Sequence, residues 1–264
     1  MVIDSHMHVF TEANDLKSAE RMATAGVVNK AFLLSSHVTT FNEGDAVVLD
    51  VAKHFPDFYV PFAHFDFTKP ASHIDDLKAR GFFGLKAIFP PKPYDDEDFW
   101  PLYERAERNR MPIVFHTAGT TYWPPEMYKN VAPRAWGARY MHVFHLDILA
   151  KLFPKLICIA AHLGAPWYDE AINVVSGHPN VYADLSDGFL IAHIEVALKA
   201  VHHVKLEDKL LFGVDTHMND VEWELKVRHF WELFLSQNVR QDVYEKIMGK
   251  NAQRLLTEAG TPTG

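Results

Sequence analysis

Short apolar runs alternate with longer amphipathic stretches along the whole chain. The runs at 2–5, 30–34, 58–63, 83–87, 112–115, 156–161, 181–184 and 209–213 are rich in Val, Ile, Leu and Phe, with no regular apolar/polar alternation. Strands buried on both faces read this way, as in a parallel sheet. Helical periodicity is predicted between them, over 14–25, 44–54, 72–80, 97–109, 142–152, 167–177, 190–203 and 219–236. Repeated strand-then-helix units predict an α/β chain built as a single (β/α)8 TIM barrel, one domain over 1–264. Short closing helices are expected over 241–256, with Gly249 at the break between them. An open doubly wound sheet is the competing arrangement. Against it, no Gly-x-Gly-x-x-Gly follows the first strand, and no Pro/Gly/Ser tract divides the chain. One connection stands apart: 117–140 carries Pro124, Pro125 and Pro133 and the rings of Tyr122, Trp123, Tyr128, Trp136 and Tyr140. It follows the fifth strand, so it is expected to cover the mouth of the barrel as a lid, the alternative being a loop packed on its own rings.

Composition narrows the class. A chain of 264 residues has room for one barrel of about 250 residues. The formal charge of −8, with no clustered Lys and Arg, excludes a nucleic-acid surface. No run approaches the roughly 18 apolar residues of a membrane span. The single cysteine, Cys158, lies inside an apolar run and reads as a buried, inert thiol. With no charged and apolar leader ahead of the first strand, the expected location is cytoplasmic. Histidine is abundant, 16 residues, so its mere presence proves nothing and position must carry the argument.

Position does. His6 and His8 lie two apart at the first strand, so their imidazoles project to one face. Two convergent neutral imidazoles are half of a transition-metal site, and Asp4 on the same face could orient one of them. His116, His162 and Asp215 each stand just past a buried run, at strands five, six and eight. In a parallel barrel all the C-terminal strand ends meet on one face, so these distant residues converge with the first pair. Singly each could be a polar strand cap. Together they describe a metal centre with a carboxylate among imidazoles and a position open to water or substrate.

The motifs Asp4-Ser5-His6-Met7-His8, His116 in Phe-His-Thr-Ala-Gly, His162 in Ala-His-Leu-Gly-Ala and Asp215 in Phe-Gly-Val-Asp resemble the amidohydrolase superfamily. The closer likeness is to its second branch, the metal-dependent hydrolases and decarboxylases that include aminocarboxymuconate-semialdehyde decarboxylase. Phe153-Pro154, Pro179-Asn180-Val181-Tyr182-Ala183-Asp184 and Gly249-Lys250-Asn251-Ala252 extend it nearly end to end. The resemblance implies one divalent metal, zinc first and manganese or iron otherwise, held by His6, His8, His116 and Asp215. It implies His162 as an acid–base or water-orienting group rather than a necessary ligand, with Asp215 also serving in catalysis. The implied activity is hydrolysis through a metal-activated water, with non-oxidative decarboxylation at the same site as the alternative. A small-molecule substrate is the expected partner, with no nucleic acid and no membrane, and relatives of this kind often form homodimers. The chain departs from the pattern at Thr216-His217-Met218, where relatives more often carry an aromatic residue and proline.

Other candidates concern the substrate. Lys86 falls at the end of strand four, where binuclear relatives carry a carbamylated, bridging lysine. The plainer reading is a cation that pairs with a carboxylate or holds an anionic substrate. Arg134 and Arg139 in the long connection could anchor a carboxylate, with Trp123 covering a ring-shaped body. Solvent exposure of both arginines is the equal alternative. His64 reads as a wall residue, and His142, His145, His202 and His203 as surface or packing residues on helices. His217 could reach the mouth.

Overall fold

The computed structural model describes residues 1–9, 16–35, 44–119, 137–186, 199–217, 220–236 and 238–260. The strands are β1 (Ile3–Val9), β2 (Lys30–Ser35), β3 (Tyr59–His64), β4 (Gly84–Ala87), β5 (Ile113–Phe115), β6 (Cys158–Ala160), β7 (Val181–Asp184), β8 (Leu210–Leu211) and β9 (Thr216–His217). They lie in the order β8-β7-β6-β5-β4-β3-β2-β1-β9, every neighbouring pair parallel. β8 and β9 are two pieces of one stave, the first paired with β7 and the second with β1. Between them the Ser5 amide donates to the Phe212 carbonyl (2.8 Å) and the Asp215 amide to the His6 carbonyl (2.9 Å). The result is eight parallel staves in a nearly closed ring, a TIM barrel.

The last stave is broken because the chain crowds the barrel axis there. A side chain at Gly213 would begin 3.0 Å from the His6 Cβ and 3.2 Å from the Ser186 Cβ, tighter than ordinary carbon–carbon contact, so these neighbours would have to give way. Asp215 then takes a left-handed conformation, φ 54°, which a pleated strand cannot continue through. The strand expected over 209–213 is therefore cut to Leu210–Leu211, and the stave resumes beyond it at Thr216–His217.

Helices on the outside are α1 (Leu16–Thr24), α2 (Gly44–His54), α3 (Ser72–Arg80), α4 (Trp100–Arg108), α5 (His145–Leu152), α6 (Tyr168–Gly177), α7 (Trp223–Ser236), α8 (Gln241–Glu245) and α9 (Asn251–Gly260), with a π-helical turn at Lys246–Lys250 between the last two. α4 shows how the periodicity works. Proline near its first turn costs no hydrogen bond, and Leu102, Tyr103 and Ala106 form the buried face. The first strand runs further than expected, so His6 and His8 lie within it. The sixth ends early, because Ala161–Gly164 turns away with His162 and Leu163 both left-handed. The fifth helix begins at His145 rather than 142. Most of the helix expected over 190–203 lies outside the described residues, as do Tyr122, Trp123, Tyr128, Arg134 and Trp136 of the expected lid.

Two apolar layers hold the barrel. One lies between staves and helices. The other is a plug inside the ring, where Ile3, Phe32, Phe62, Val114 and Leu211 meet Leu255 of α9. The Phe32 and Phe62 rings stack at 5.0 Å. Cys158 is buried in the outer layer, and burial raises its thiol well above the usual range, so it is inert at neutral pH. Among the described residues no helix is long and apolar enough to cross a membrane.

Candidate metal centre

Above the plug, at the C-terminal strand ends, the polar residues gather. His6 and His8 do share a face of β1: their Nε2 atoms are 3.1 Å apart. Asp215 arrives from the broken eighth stave with Oδ1 3.5 Å from His6 Nε2 and 3.3 Å from His8 Nε2. His6 is fully buried, whereas the side chains of His8 and Asp215 are 13% and 27% exposed, so the group opens toward solvent on one side.

These separations fit a metal ion. Ligands about 2.0–2.1 Å from a common zinc ion stand roughly 2.9–3.4 Å from one another. The protonation states fit as well, since ligation needs neutral imidazole and ionised carboxylate. Burial, reinforced by Lys86, lowers the pKa of His6. Burial alone would raise the Asp215 carboxyl, but His6, His8 and His162 around it hold it well below the ordinary range.

His116 and His162 form a second pair beside this group. Their Nδ1 and Nε2 atoms respectively are 3.2 Å apart. His116 is positioned from below by the Tyr94 hydroxyl, 3.0 Å from its carbonyl oxygen. His162 Nδ1 lies 3.9 Å from Asp215 Oδ2 and 2.9 Å from the Ser186 hydroxyl. Burial, with the neighbouring His162, lowers His116 far below its usual pKa, and burial likewise lowers His162. Two sets of donor atoms lie close enough together to hold an ion, His6, His8 and Asp215, which opens toward solvent, and His6, His162 and Asp184, which is wholly buried. The first is the tight donor group with an open side, and His116 adjoins it through His162.

Lys86, at the end of β4, is fully buried with Nζ 3.1 Å from His6 Nε2. Burial pushes its amine down to about 8, against the pull of Asp184 and Asp215. Arg139 is exposed and lies over the ring of Tyr140, 4.7 Å from its centroid, donating to that residue's hydroxyl. His64 is half-buried at the end of β3, its amide donating to Asp45. His145 reaches Asp95 and the Arg139 carbonyl, and His142 packs on Phe144 and Trp167. The backbone of His217 pairs with that of His8.

Two site residues were not singled out by the sequence reading. Asp184, at the end of β7, is completely buried, with Oδ2 2.8 Å from His6 Nδ1. Its Oδ1 accepts from the His162 amide (2.9 Å), the Ser186 amide (3.2 Å) and the Ser186 hydroxyl. The signal was present, since Asp184 and Ser186 are polar residues two apart closing a buried run, like His6 and His8. Asp4, expected to orient an imidazole, turns elsewhere. Its carboxylate accepts from the amides of His6 and Val214, both at 3.1 Å, and from Trp223 Nε1 at 3.2 Å. A register shift between Asp4 and Met7 separates it from the metal-facing residues.

Barrel and site together define a class. The amidohydrolase family model matches residues 3–257, and the chain belongs to that family, in its amidohydrolase 2 branch. Among solved structures, a TIM-barrel protein of Bordetella bronchiseptica is similar at 22% identity, with a TM-score of 0.74 over 98% of this chain and 99% of that one. A probable 2-pyrone-4,6-dicarboxylic acid hydrolase of Acinetobacter baumannii, with citric acid bound, aligns at 16% identity and TM-score 0.68 over 97% and 99% of the two chains. A 5-carboxyvanillate decarboxylase of Novosphingobium aromaticivorans, with bound manganese, aligns at 14% identity and TM-score 0.64 over 97% of each. No match was found among curated proteins.

Proposed function

We propose that this amidohydrolase is a metal-dependent hydrolase of a small carboxylated, cyclic or unsaturated substrate, with zinc as the resident ion. The observation that carries the reading is the convergence of His6 Nε2, His8 Nε2 and Asp215 Oδ1 at 3.1–3.5 Å with one side open. His116 joins these ligands from the fifth strand. When bound, the ion lowers the pKa of water from 15.7 to about 7 and so supplies a nucleophile near neutral pH. Asp215 would hold the ion, and its carboxylate would orient a water beside it. His162, kept neutral by burial, takes up the released proton and returns it to the leaving group. Lys86 places positive charge at the floor of the site, where it attracts the substrate carboxylate.

Products test this. Turnover in isotopically labelled water should place one solvent oxygen in the product without release of carbon dioxide. Carbon dioxide release without oxygen incorporation would replace the reading by the carboxy-lyase one, for which the likeness to the decarboxylase speaks.

The Lys86 assignment has its own test. Lys86→Met should leave the metal bound at least as tightly, because a neighbouring cation is removed, while KM for a carboxylate rises about tenfold or more. Without the ion the ammonium is lost at about 8, and in the unsubstituted protein KM should rise with pH as that proton is lost. The ion's own charge depresses that amine further, so the rise begins earlier in the loaded enzyme. A KM unchanged by Lys86→Met would remove the residue from substrate binding.

A further inference from the structure

Each imidazole in the site has two nitrogens, and only the one with a lone pair can ligate a metal or accept a proton. The contacts around β7 decide which nitrogen that is. A carboxylate only accepts, so His6 Nδ1, 2.8 Å from Asp184 Oδ2, carries the proton. His6 Nε2 then carries the lone pair. Lys86 agrees from the other side, its Nζ facing that Nε2 at 3.1 Å as an N–H donor.

The same logic runs outward through Ser186. Its hydroxyl has one proton, which goes to Asp184 Oδ1. Its oxygen, with two lone pairs, therefore accepts from His162 Nδ1 at 2.9 Å and also faces His6 Nδ1 at 3.1 Å, behind the shorter bond from that atom to Asp184. With Nδ1 protonated, neutral His162 has its lone pair on Nε2, and that atom accepts from His116 Nδ1 at 3.2 Å. His116 is left with its lone pair on Nε2. One buried carboxylate thus sets three rings, His6 directly and His162 and His116 in series.

We propose that Asp184 and Ser186 are positioning residues that fix the tautomers of the site histidines, Asp184 serving the metal ligand His6 and Ser186 the His162–His116 pair. The consequence for metal binding rests on the hydrolase reading above; the tautomers themselves do not. Partners of this kind, one hydrogen bond behind a ligand, typically contribute 10–100-fold in metal affinity.

The test is nuclear magnetic resonance of the metal-free protein with nitrogen-labelled histidine, joined to zinc titration against a competing chelator. In the unsubstituted protein His6, His162 and His116 should each be protonated at Nδ1. In Ser186→Ala, His6 should keep that state while His162 and His116 become tautomer mixtures, with zinc affinity changed less than about threefold. In Asp184→Asn the His6 tautomer should no longer be fixed and zinc affinity should fall about 10–100-fold. Protonation of His6 or His162 at Nε2 in the unsubstituted protein overturns the proposal, as do unaltered His162 and His116 signals in Ser186→Ala. If Asp184→Asn fails to fold, the other two proteins still decide. Correct tautomers with no divalent ion bound at any concentration would sink the metal-hydrolase reading and leave the tautomer assignment standing.

Discussion

Replacing both His6 and His8 with alanine should strip the protein of bound divalent metal and abolish turnover while leaving it folded. The two imidazoles provide two of the three atoms of the tight donor group. Their removal leaves Asp215 with no neighbouring ligand on β1. Disturbing a residue one hydrogen bond behind a ligand already costs 10–100-fold in metal affinity, so losing two ligands should exceed that and leave negligible metal after dialysis. Folding should survive because the strand's apolar anchors, Ile3 in the plug and Met7 in the outer layer, are both untouched. Elemental analysis beside a thermal melt checks both halves. Full occupancy in a folded double variant would mean the ion sits elsewhere.

His162→Asn should show the opposite pattern, keeping the metal and losing about 10²–10⁴-fold in rate, the usual scale for general acid–base work. Asparagine is the informative replacement because residue 162 has φ 59°, and asparagine adopts that conformation more readily than most residues. Backbone collapse is therefore not the cause of the loss, and the His162 amide can still donate to Asp184. Metal content measured with single-turnover rates separates the outcomes. Metal loss would make His162 a ligand, and an unchanged rate would remove it from the reaction.

The barrel and much of the site were legible in the sequence for the same reason. Strands buried on both faces leave continuous apolar runs, and the residues that end those runs are forced together by closure of the ring. His6 and His8 follow from the period of a strand alone, and their Nε2 separation of 3.1 Å is its outcome. Asp184 was less legible because a single aspartate at a strand end is an ordinary cap. Its role comes from its contact with His6, at a sequence separation of 178. Asp4 has the parity of His6 and His8, but the register shift along β1 breaks the rule that parity rests on. The split of the eighth stave was illegible for a related reason. It depends on Gly213 meeting His6 and Ser186, an approach that exists only once the ring has closed.

His162, Leu163 and Asp215 all hold left-handed backbone, with φ of 59°, 45° and 54°. Residues other than glycine typically give up about 1–3 kcal/mol in such positions. A chain selected for robustness alone would put glycine there, yet two of these positions carry the proposed acid–base group and the proposed carboxylate ligand. Thermal hardening of this scaffold would therefore find some of its readiest gains at the residues it can least spare. Directed evolution toward heat resistance, unchecked by an activity screen, would erode the catalytic face first and leave an intact, inert barrel.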